Sequence, residues 1–408
     1  MPLGPGRVVC GPFARARPVV EGRAGMDPDL RAQLTRRIKK RARRLGFHAV
    51  GVSSADPGPG ENLRVWLELG YQGSMAYLER QAEKRLDPGR VLPGVRSMIC
   101  VALAYPHSQP LPYDDPGRGV ISRYASGDDY HSVMGSLMAR LLESIREEVP
   151  GVGARFYVDS GPVMDKYWAA RAGIGWLGKH TNLLDRKLGS WFFLGEILLD
   201  VELDPDEPAL DHCGSCTRCI DACPTDAIVE PYLLDSRRCI SYLTIELKED
   251  IPQELRKPMR NLVFGCDICQ DVCPWNHPVP DSSVPELAPR PVNRSPELWD
   301  LAQLSADEFR ERFSGSPVKR AKWRGFVRNV AVAMGNSGNP GLAPELTNLL
   351  NSEDPMVRRH AGWALTRLGT GEALDAVRRR CSEEPDSETR AALEELLGGV
   401  AADPPEVS

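Results

Sequence analysis

The chain contains 408 residues and carries a formal net charge of −5, with 51 Lys and Arg against 56 Asp and Glu. This length predicts two to four domains with room for a large core. The excess of acidic residues excludes a molecule that attracts nucleic acid through its overall charge. No apolar run reaches the roughly 18–20 residues that span a bilayer, so no membrane partner is expected.

Residues 1–25 are rich in Gly, Pro and Arg and lack the uninterrupted apolar segment of a secretion signal. A helical pattern opens at Met26, so both Met1 and Met26 are candidate translation starts. We expect residues 1–25 to form a disordered extension.

A basic amphipathic helix is predicted over residues 31–44, where apolar positions recur at helical spacing among many Arg and Lys side chains. Such a helix either binds an anionic partner or presents a solvated face, and the second interpretation is favoured. Its buried face reads Leu30, Leu34, Ile38 and Leu45.

Residues 26–204 alternate helical patterns with short β-rich runs. This alternation predicts an α/β or α+β catalytic domain within a multidomain α+β chain. The clearest β-rich runs are 97–103 and 154–158. Cys100 lies inside the first of them, where a buried structural cysteine is expected.

Three glycines, Gly173, Gly175 and Gly178, have the spacing of a dinucleotide-binding loop, but no β-rich run leads into them. A dinucleotide site is therefore unsupported. The continuation through His180 to Asn182 indicates a loop whose backbone approaches a large flat ligand. Simple turn chemistry is the alternative interpretation.

Two cysteine runs are the most specific pattern in the chain. They read C-x2-C-x2-C-x3-C-P and C-x2-C-x3-C-P, the spacing with which bacterial ferredoxins hold iron–sulfur clusters. Zinc would leave a further C-x2-C step and both Cys-Pro units unexplained, and disulfides do not suit a long chain without a secretion signal. We predict two [4Fe–4S] clusters in a ferredoxin-type domain over residues 205–287, stabilised by metal rather than by a core.

The spacing also assigns the cluster ligands, because the last cysteine of each run faces the cluster of the other run. The second cluster is then one thiolate short, and Cys239, which lies between the runs, is the candidate. The expected sets are Cys213, Cys216, Cys219 and Cys273 for the first cluster, and Cys266, Cys269, Cys223 and Cys239 for the second. Cys10 and Cys381 have no partner at ligand spacing.

The C-terminal part repeats itself after a Pro-rich connector at residues 288–296. Ala331, Ala361 and Ala391 fall at equal intervals, and acidic-Pro turns separate the helical patterns. This period predicts a short HEAT-like helical solenoid over residues 288–399, with an ordinary helical bundle as the alternative. Residues 400–408 are expected to be disordered.

Five segments of the first domain, together with the eight cysteines, resemble epoxyqueuosine reductase, an enzyme family of tRNA modification. The resemblance extends over about residues 26–369, and the residues before Met26 depart from the family's usual start and are expected to carry no function. The five segments are residues 73–78, 123–131, 158–165, 173–182 and 189–196.

The resemblance implies a cobalamin held between the catalytic domain and the cluster domain. The family is similar in these two domains to cobalamin-dependent reductive dehalogenases, and it adds a helical-repeat domain. The implied reaction reduces epoxyqueuosine to queuosine at the wobble position of a tRNA anticodon, the last step of queuosine biosynthesis. The alternatives are a dehalogenase-like reductase of a small molecule and an electron-transfer iron–sulfur protein.

Asp159 matches the proton donor of the family. An acid that works near neutral pH needs a raised pKa, which burial of Asp159 over a corrin face would supply. The alternative is an Asx-turn before Pro162.

Further residues match segments that line the cobalamin site in the family, namely Ser122, Asn182, Leu183 and Ser241, while Cys266 and Asp267 would bring the second cluster against the corrin. His131 is a candidate axial cobalt ligand. A helix N-cap formed with Asp128 and Tyr130 is the alternative, and cobalamin binding without a protein ligand to cobalt is expected.

Because the net charge is negative, tRNA binding would need a local basic patch. Such a patch is predicted at Lys319, Arg320, Lys322, Arg324 and Arg328. Trp323 and Phe326 lie among these residues and would stack on bases or pack beneath the charges. A low-potential electron donor of the flavodoxin or ferredoxin type is expected, and oxygen-sensitive clusters and unpaired thiols indicate a cytoplasmic enzyme, expected to be a monomer.

Overall fold

The computed structural model describes residues 26–402 except residues 59, 278 and 283. The expected N-terminal extension, Cys10 and residues 403–408 of the expected tail lie outside the described residues. The last helix, Ser387–Ala402, continues past the expected boundary at residue 399.

The first part of the chain is built on a four-stranded sheet with the order β1-β2-β7-β4. Every pairing in this sheet is antiparallel, so of the two expected classes the first domain takes the α+β form. The strands are β1 Ala49–Ser54, β2 Ser97–Ala104, β3 Val120–Ile121, β4 Ala154–Tyr157, β5 Trp176–Leu177, β6 Leu183–Leu184, β7 Phe192–Leu199, β8 Ile228–Glu230, β9 Leu233–Leu234 and β10 Leu262–Phe264.

Helices cover both faces of the sheet and make up the C-terminal part. Among the described residues, no helix is long and apolar enough to cross a membrane. The helices are α1 Pro28–Arg44, α2 Glu61–Glu68, α3 Ala76–Arg80, α4 Ala82–Leu86, α5 Tyr130–Glu148, α6 Asp165–Arg171, α7 Arg218–Asp221, α8 Ile240–Ile245, α9 Gln253–Arg256, α10 Ile268–Asp271, α11 Leu298–Ala302, α12 Ala306–Arg312, α13 Lys322–Asn336, α14 Ala343–Leu350, α15 Pro355–Leu368, α16 Gly371–Glu383 and α17 Ser387–Ala402.

The central strand β2 is buried on both faces, as its continuous apolar sequence predicts. Ile99 and Val101 pack in the core that contains residues of α1 and α5. Met98 and Cys100 point to the opposite face and pack in the core that contains residues of α6. The sheet therefore lies between two helical layers, and the expectation of a buried Cys100 is confirmed.

The cluster region is joined to the first part of the chain by a short parallel strand pair. In this pair Leu262 of β10 lies opposite Val120 of β3, and Phe264 lies opposite Ile121. These residues share one apolar core with helices of the C-terminal part. The predicted domain limits therefore do not separate independent cores, because this apolar core extends across them.

The C-terminal helices stack in the order that the repeat predicts, with α13 against α15 and α15 against α17. The backbones of α13 and α15 approach closely, since a Cβ on Gly335 would lie 2.7 Å from the Cα of Ala364. Ala331 and Ala361 are fully buried at equivalent positions. Ala391 is exposed in the terminal helix α17, where Leu393 packs into the core instead.

Arg328 is fully buried, so the prediction that it contacts tRNA is wrong. Its guanidinium donates to the carbonyl oxygens of Leu243 at 2.6 Å, Leu247 at 3.0 Å and Glu249 at 2.5 Å. These carbonyls lie at and beyond the end of α8, where helix geometry leaves acceptors without partners. Arg328 therefore joins the solenoid to the cluster region.

The structure predicts that Arg328→Met destabilises the protein by about 3 kcal/mol or more, because buried carbonyl acceptors lose their donors. The shift in the midpoint of urea unfolding, followed by circular dichroism, measures this loss. Arg378→Met is the matched control, since the Arg378 side chain is 59% exposed, and its cost is expected to be below about 0.5 kcal/mol. Equal shifts in the two variants would contradict the role of Arg328.

Candidate active site

The two cysteine runs adopt the same local structure. Each run places one cysteine in a single-turn helix, Cys219 in α7 and Cys269 in α10, and these two helices pack together. After each helix a tight turn presents the next cysteine, since the amide of Cys223 donates to Ile220 O and the amide of Cys273 donates to Gln270 O. The repeated turns let thiols two and three residues apart converge.

The cysteines fall into two groups of neighbours. Burial, and then the nearby Cys273, Cys213 and Cys216, raise the pKa of Cys219 to about 11. Burial likewise raises the pKa of Cys269, and the neighbours with the largest effect on it are Cys266, Cys239 and Cys223. These neighbours are mostly members of the same predicted ligand set. Among the described residues, no three His, Cys, Asp or Glu side chains are placed to hold a metal ion, so the ligand sets, with Cys239 in the second, stay a prediction.

Aromatic side chains enclose the first group of thiols. Trp176 packs edge-on against Trp275 and His212, and its core cluster contains Cys273. The buried Lys179 donates to the carbonyl oxygens of Gly214 at 2.7 Å and Cys216 at 2.9 Å. Lys179 therefore ties the loop of the first domain to the first cysteine run.

A cavity of about 380 Å³ lies between the first domain and the second group of thiols. Its lining includes aromatic residues of the first domain together with Cys223, Cys239, Cys266 and Cys269. A ligand in this cavity would therefore contact a cluster held by those four thiols. The aromatic lining residues are Tyr105, Tyr124, Tyr130, Phe192 and Phe193.

Most residues implied for cofactor binding line this cavity, namely Ser122, Asn182, Ser241, Cys266 and Asp267. Asp159 and Leu183, which were also expected to bind the cofactor, are not among the lining residues. The Leu183 side chain is 3% exposed and packs in the core beneath the sheet with Trp168. The expectation for the Leu183 side chain is wrong because β6 turns that side chain inward.

Asp267 is 1% exposed, and its carboxylate is hydrogen-bonded to neighbouring groups of the protein. Its carboxylate accepts from Ser122 Oγ and from the Arg123 amide, both at 2.9 Å, and from the Arg123 guanidinium at 3.3 Å. Burial raises the pKa of Asp267 although Arg123 opposes that shift. Asp267 therefore fixes the loop that carries Ser122 beside the second group of thiols.

The glycine-rich loop contains both a turn and a segment that lines the cavity, so each of its two predicted roles applies to one part of the loop. A Cβ on Gly175 would lie 2.1 Å from the carbonyl oxygen of Leu184, and Gly173 has a φ of +72°, so these glycines serve close packing and a turn. The following residues His180, Thr181 and Asn182 line the cavity. The ligand-facing part of the loop thus begins after the glycines.

Asp159 follows β4 in a left-handed conformation with a φ of 57°. Its carboxylate accepts from the hydroxyl of Tyr130 at 2.6 Å, and His131 Nε2 lies 3.7 Å away. The surrounding protein partly desolvates Asp159 and so favours a raised pKa, although its side chain is 62% exposed, and His131 and Tyr130 together hold the pKa of Asp159 below its usual range. The expected raised pKa is therefore not a property of this structure.

Asp129, rather than Asp128, is the N-cap of α5. It accepts from the amide of His131 at 3.1 Å and from His131 Nδ1 at 2.8 Å. Asp129 and then Asp159 raise the pKa of His131 to about 9. A protonated imidazole is a poor metal ligand, so this geometry favours the N-cap interpretation of the segment over axial ligation.

Comparison with protein-family models gives three matches along the chain. A 4Fe–4S double cluster binding domain matches residues 212–276, and HEAT repeats match residues 327–398. The model described as epoxyqueuosine reductase QueG, DUF1730 matches residues 85–160. The two clusters and the helical repeat predicted from the sequence are confirmed.

Whole-length comparisons agree with these matches. The chain is 42% identical to the epoxyqueuosine reductase of Xanthomonas campestris, covering 82% of this chain and 96% of the relative. It is 43% identical to that of Pseudomonas aeruginosa, covering 86% of this chain and 99% of the relative. The chain belongs to the epoxyqueuosine reductase family.

Solved structures of epoxyqueuosine reductase have the same fold. One, with an epoxyqueuosine-modified tRNA-Tyr stem loop, gives a TM-score of 0.84 at 32% identity and covers 90% of this chain and 99% of that chain. The structure of the Bacillus subtilis enzyme, in which the catalytic loop with its Asp is swung out of the active site, gives a TM-score of 0.84 at 31% identity. It covers 90% of this chain and 98% of that chain.

Two cavity residues, Lys166 and Tyr130, were not predicted from the sequence as ligand-facing residues. Lys166 lines the cavity and donates to the carbonyl oxygen of Thr181 at 2.8 Å and to Asn182 Oδ1 at 3.1 Å. The sequence pattern indicates Tyr130 only as part of a helix start, whereas in the structure its hydroxyl donates to Asp159. No periodicity could have identified either residue, because their roles depend on how α5 and α6 approach the sheet.

Cys239→Ala should damage the second cluster and spare the first, because only the second group of thiols contains Cys239. The parent is expected to carry about eight iron atoms in two cubanes, and the variant should retain one intact cubane. Iron and sulfide analysis with electron paramagnetic resonance of the anaerobic protein measures both. Cys381→Ala, at an isolated cysteine, should keep all the iron, and two intact clusters in the Cys239 variant would refute the assignment.

Proposed function

We propose that this protein reduces epoxyqueuosine to queuosine at the wobble position of tRNA anticodons, using a cobalamin and two [4Fe–4S] clusters. The observation that carries the proposal is the cavity, which has the thiols of the second cluster on one side in a chain of the epoxyqueuosine reductase family. Electrons from the clusters would enter that cavity directly.

The cavity offers a hydrogen-bond donor to a cofactor with amide side chains. His180 Nδ1 accepts from the amide of Asn182 at 3.1 Å, so a neutral ring carries its proton on Nε2. Burial lowers the pKa of His180 to about 4, and Nε2 is buried with no hydrogen-bond partner among the described residues. This leaves a donor for a ligand carbonyl. Ser122, Asn182 and Ser241 would hold the cofactor with it.

Bound cobalamin supplies the low-potential metal chemistry for breaking a C–O bond, which no amino-acid side chain can provide. Conversion of an epoxide to an alkene and water consumes two electrons and two protons. The clusters would supply the electrons one at a time, and the protein must supply the protons.

Asp159 is the proposed proton donor to the departing oxygen. Tyr130 fixes its carboxyl group through a 2.6 Å hydrogen bond. Cofactor and substrate that cover Asp159 would remove water from it, and desolvation raises the pKa of a carboxyl group. The ordinary turn role is less well supported, because this carboxylate binds Tyr130 rather than the backbone two residues further on.

The proposed tRNA surface is the basic patch formed by Lys319, Arg320, Lys322 and Arg324, without Arg328. All four side chains are exposed. The interleaved aromatics pack beneath the charges, since Phe326 is fully buried and Trp323 Nε1 donates to Leu304 O. Lys319 pairs with Asp129 at 3.0 Å, beside His131. The patch therefore borders the site of Asp159.

The clusters need an external electron donor. A low-potential donor of the flavodoxin or ferredoxin type would reduce the first cluster, and the enzyme would act as a monomer in the cytoplasm. Oxygen-sensitive clusters and unpaired cysteines are the support for that compartment.

Asp159→Asn should retain cobalamin, iron and tRNA binding and lose about 100-fold or more in single-turnover rate, because it removes only the proton. Nucleoside mass spectrometry of epoxyqueuosine tRNA, incubated anaerobically with reduced enzyme, measures the rate. Asp200→Asn is the control, since Asp200 is a turn carboxylate that accepts from the amide of Gly153. Near-parental turnover by Asp159→Asn would mean that the donor lies elsewhere.

Changing Lys319, Arg320 and Arg324 together to Gln should weaken tRNA binding and reduce the slope of log affinity against log salt by about 2, at roughly 0.7 per lost phosphate contact. Binding titrations at several salt concentrations measure both effects. The control variant changes Arg36, Lys40 and Arg43 to Gln. These three side chains are exposed on α1, and their replacement removes an equal charge. If both triple variants behave alike, the patch is only a solvated surface.

A further inference from the structure

A buried tryptophan with an unpartnered donor packs against the first group of thiols. Trp176 is 4% exposed in β5, and among the described residues its Nε1 has no hydrogen-bond partner. Its ring packs edge-on, with centroid distances of 5.0 Å to Trp275 and 4.9 Å to His212, in the cluster that contains Cys213 and Cys273. The indole N–H therefore lies beside two cysteines of the first predicted ligand set.

A sulfur acceptor would satisfy this donor. A buried N–H without a partner costs about 1–3 kcal/mol, and a buried tryptophan usually finds an acceptor for its N–H. Burial raises the pKa of the Cys213 thiol, and the amide of Lys179 and the side chain of Trp176 both oppose that shift. Both N–H groups therefore favour negative charge on sulfur, which a cluster held by these cysteines would carry.

The ammonium group of Lys179 adds a buried positive charge at the same place. Lys179 is 8% exposed and donates to Gly214 O at 2.7 Å and to Cys216 O at 2.9 Å. Among the described residues, no carboxylate forms an ion pair with it. Asp211 accepts from the amide of Cys213 at 2.7 Å, but Asp211 is exposed, so solvent screens its charge. The first cysteine run thus holds a cation that no buried acidic side chain neutralises.

The cation beside the second group of thiols is neutralised instead. The guanidinium of Arg123 lies 3.3 Å from Asp267 and 2.8 Å from Asp271. Asp267 directly follows Cys266, and Asp271 lies on α10 with Cys269. Two carboxyl groups therefore surround the one cation near the second group, whereas the cation near the first group has none.

This difference bears on the reduction potentials of the two clusters. Reduction adds one negative charge to a cluster, so a nearby cation or an N–H directed at its sulfur stabilises the reduced form. The effect of a charge is larger where the surroundings are buried, because the dielectric screening there is weaker. The first cluster should therefore be reduced more easily than the second.

We propose that Trp176 and Lys179 raise the reduction potential of the first cluster above that of the second. Trp176 donates its N–H to a sulfur of the first cluster, and the ammonium group of Lys179 stabilises the added electron. An electron from the external donor then rests on the first cluster, while the second cluster stays the stronger reductant beside the cavity. The inference rests on the two clusters of the proposed function and is independent of its substrate.

Two variants and a matched control separate these effects from packing. Trp176→Phe removes the N–H and keeps an aromatic ring, and Lys179→Met removes the charge and keeps an apolar stem. Trp191→Phe is the control, since Trp191 is 3% exposed and its Nε1 also has no partner among the described residues. Trp191 packs against His107 and Arg123 instead of the first group of thiols.

Redox titration of the anaerobic protein without tRNA, followed by electron paramagnetic resonance, measures both midpoint potentials. At a fixed solution potential, Trp176→Phe and Lys179→Met should each lower the ratio of reduced to oxidised first cluster about tenfold, which is ~59 mV for one electron. The second cluster should keep its potential, and Trp191→Phe should leave the first cluster unchanged. An unchanged potential of the first cluster in either variant overturns the role of that residue.

Cys239→Ala assigns the two potentials, since it should retain only the first cluster. The remaining potential should be the higher of the two found in the parent, and adding Trp176→Phe should lower it. If the remaining potential is the lower of the two, the proposed order is overturned.

Electron spin echo modulation tests the contact itself, with isotope-labelled tryptophan in a parent protein poised so that only the first cluster is reduced. The spectrum should show an indole nitrogen coupled to the cluster, and Trp176→Phe should remove that coupling. A parent without the coupling, or a coupling that persists in Trp176→Phe, overturns the hydrogen bond. An enzyme with the expected potentials and coupling that never forms queuosine supports this inference and overturns the proposed function instead.

Discussion

The need to bring eight cluster thiols together from three separated segments is the constraint on which the rest of this structure depends. The helices beside these thiols, α7, α8 and α10, are too short to stabilise one another alone. Support comes from outside, from Lys179 of the first domain and from Arg328 of the solenoid. Catalytic domain, cluster region and solenoid therefore form one continuous unit around the clusters.

That arrangement also determines where the reaction can occur. The cavity is lined both by the second group of thiols and by aromatic side chains of the first domain. Next to the lining residue Tyr130, Asp159 is held in its ionised form by Tyr130 and His131. A bound cofactor and substrate would have to remove water from Asp159 before it could act as an acid.

The clusters and the helical repeat could be predicted from the sequence because both depend on the spacing of residues along the chain. Cysteine spacing correctly indicated two clusters, and the interval between Ala331 and Ala361 correctly indicated the repeat. Roles that depend on neighbours distant in the chain were missed. Arg324 and Arg328 lie one helical turn apart on the same face of α13, yet Arg324 is exposed and Arg328 is buried beneath the cluster region. Periodicity identifies which face of a helix is buried. It does not show how much of the length of that face is covered by another element.

A continuous set of contacts links the proposed tRNA surface to the proposed acid. Lys319 binds Asp129, Asp129 binds His131, and His131 lies beside Asp159. A phosphate that binds Lys319 would compete with Asp129 for the same ammonium group, and the hydrogen bond between His131 and Asp129 is the main cause of the raised pKa of His131. The proposed tRNA surface and the proposed acid are therefore linked through shared charged groups. Loss of a patch residue has to be judged by binding and by single turnover separately, because either can change through the same ion pair.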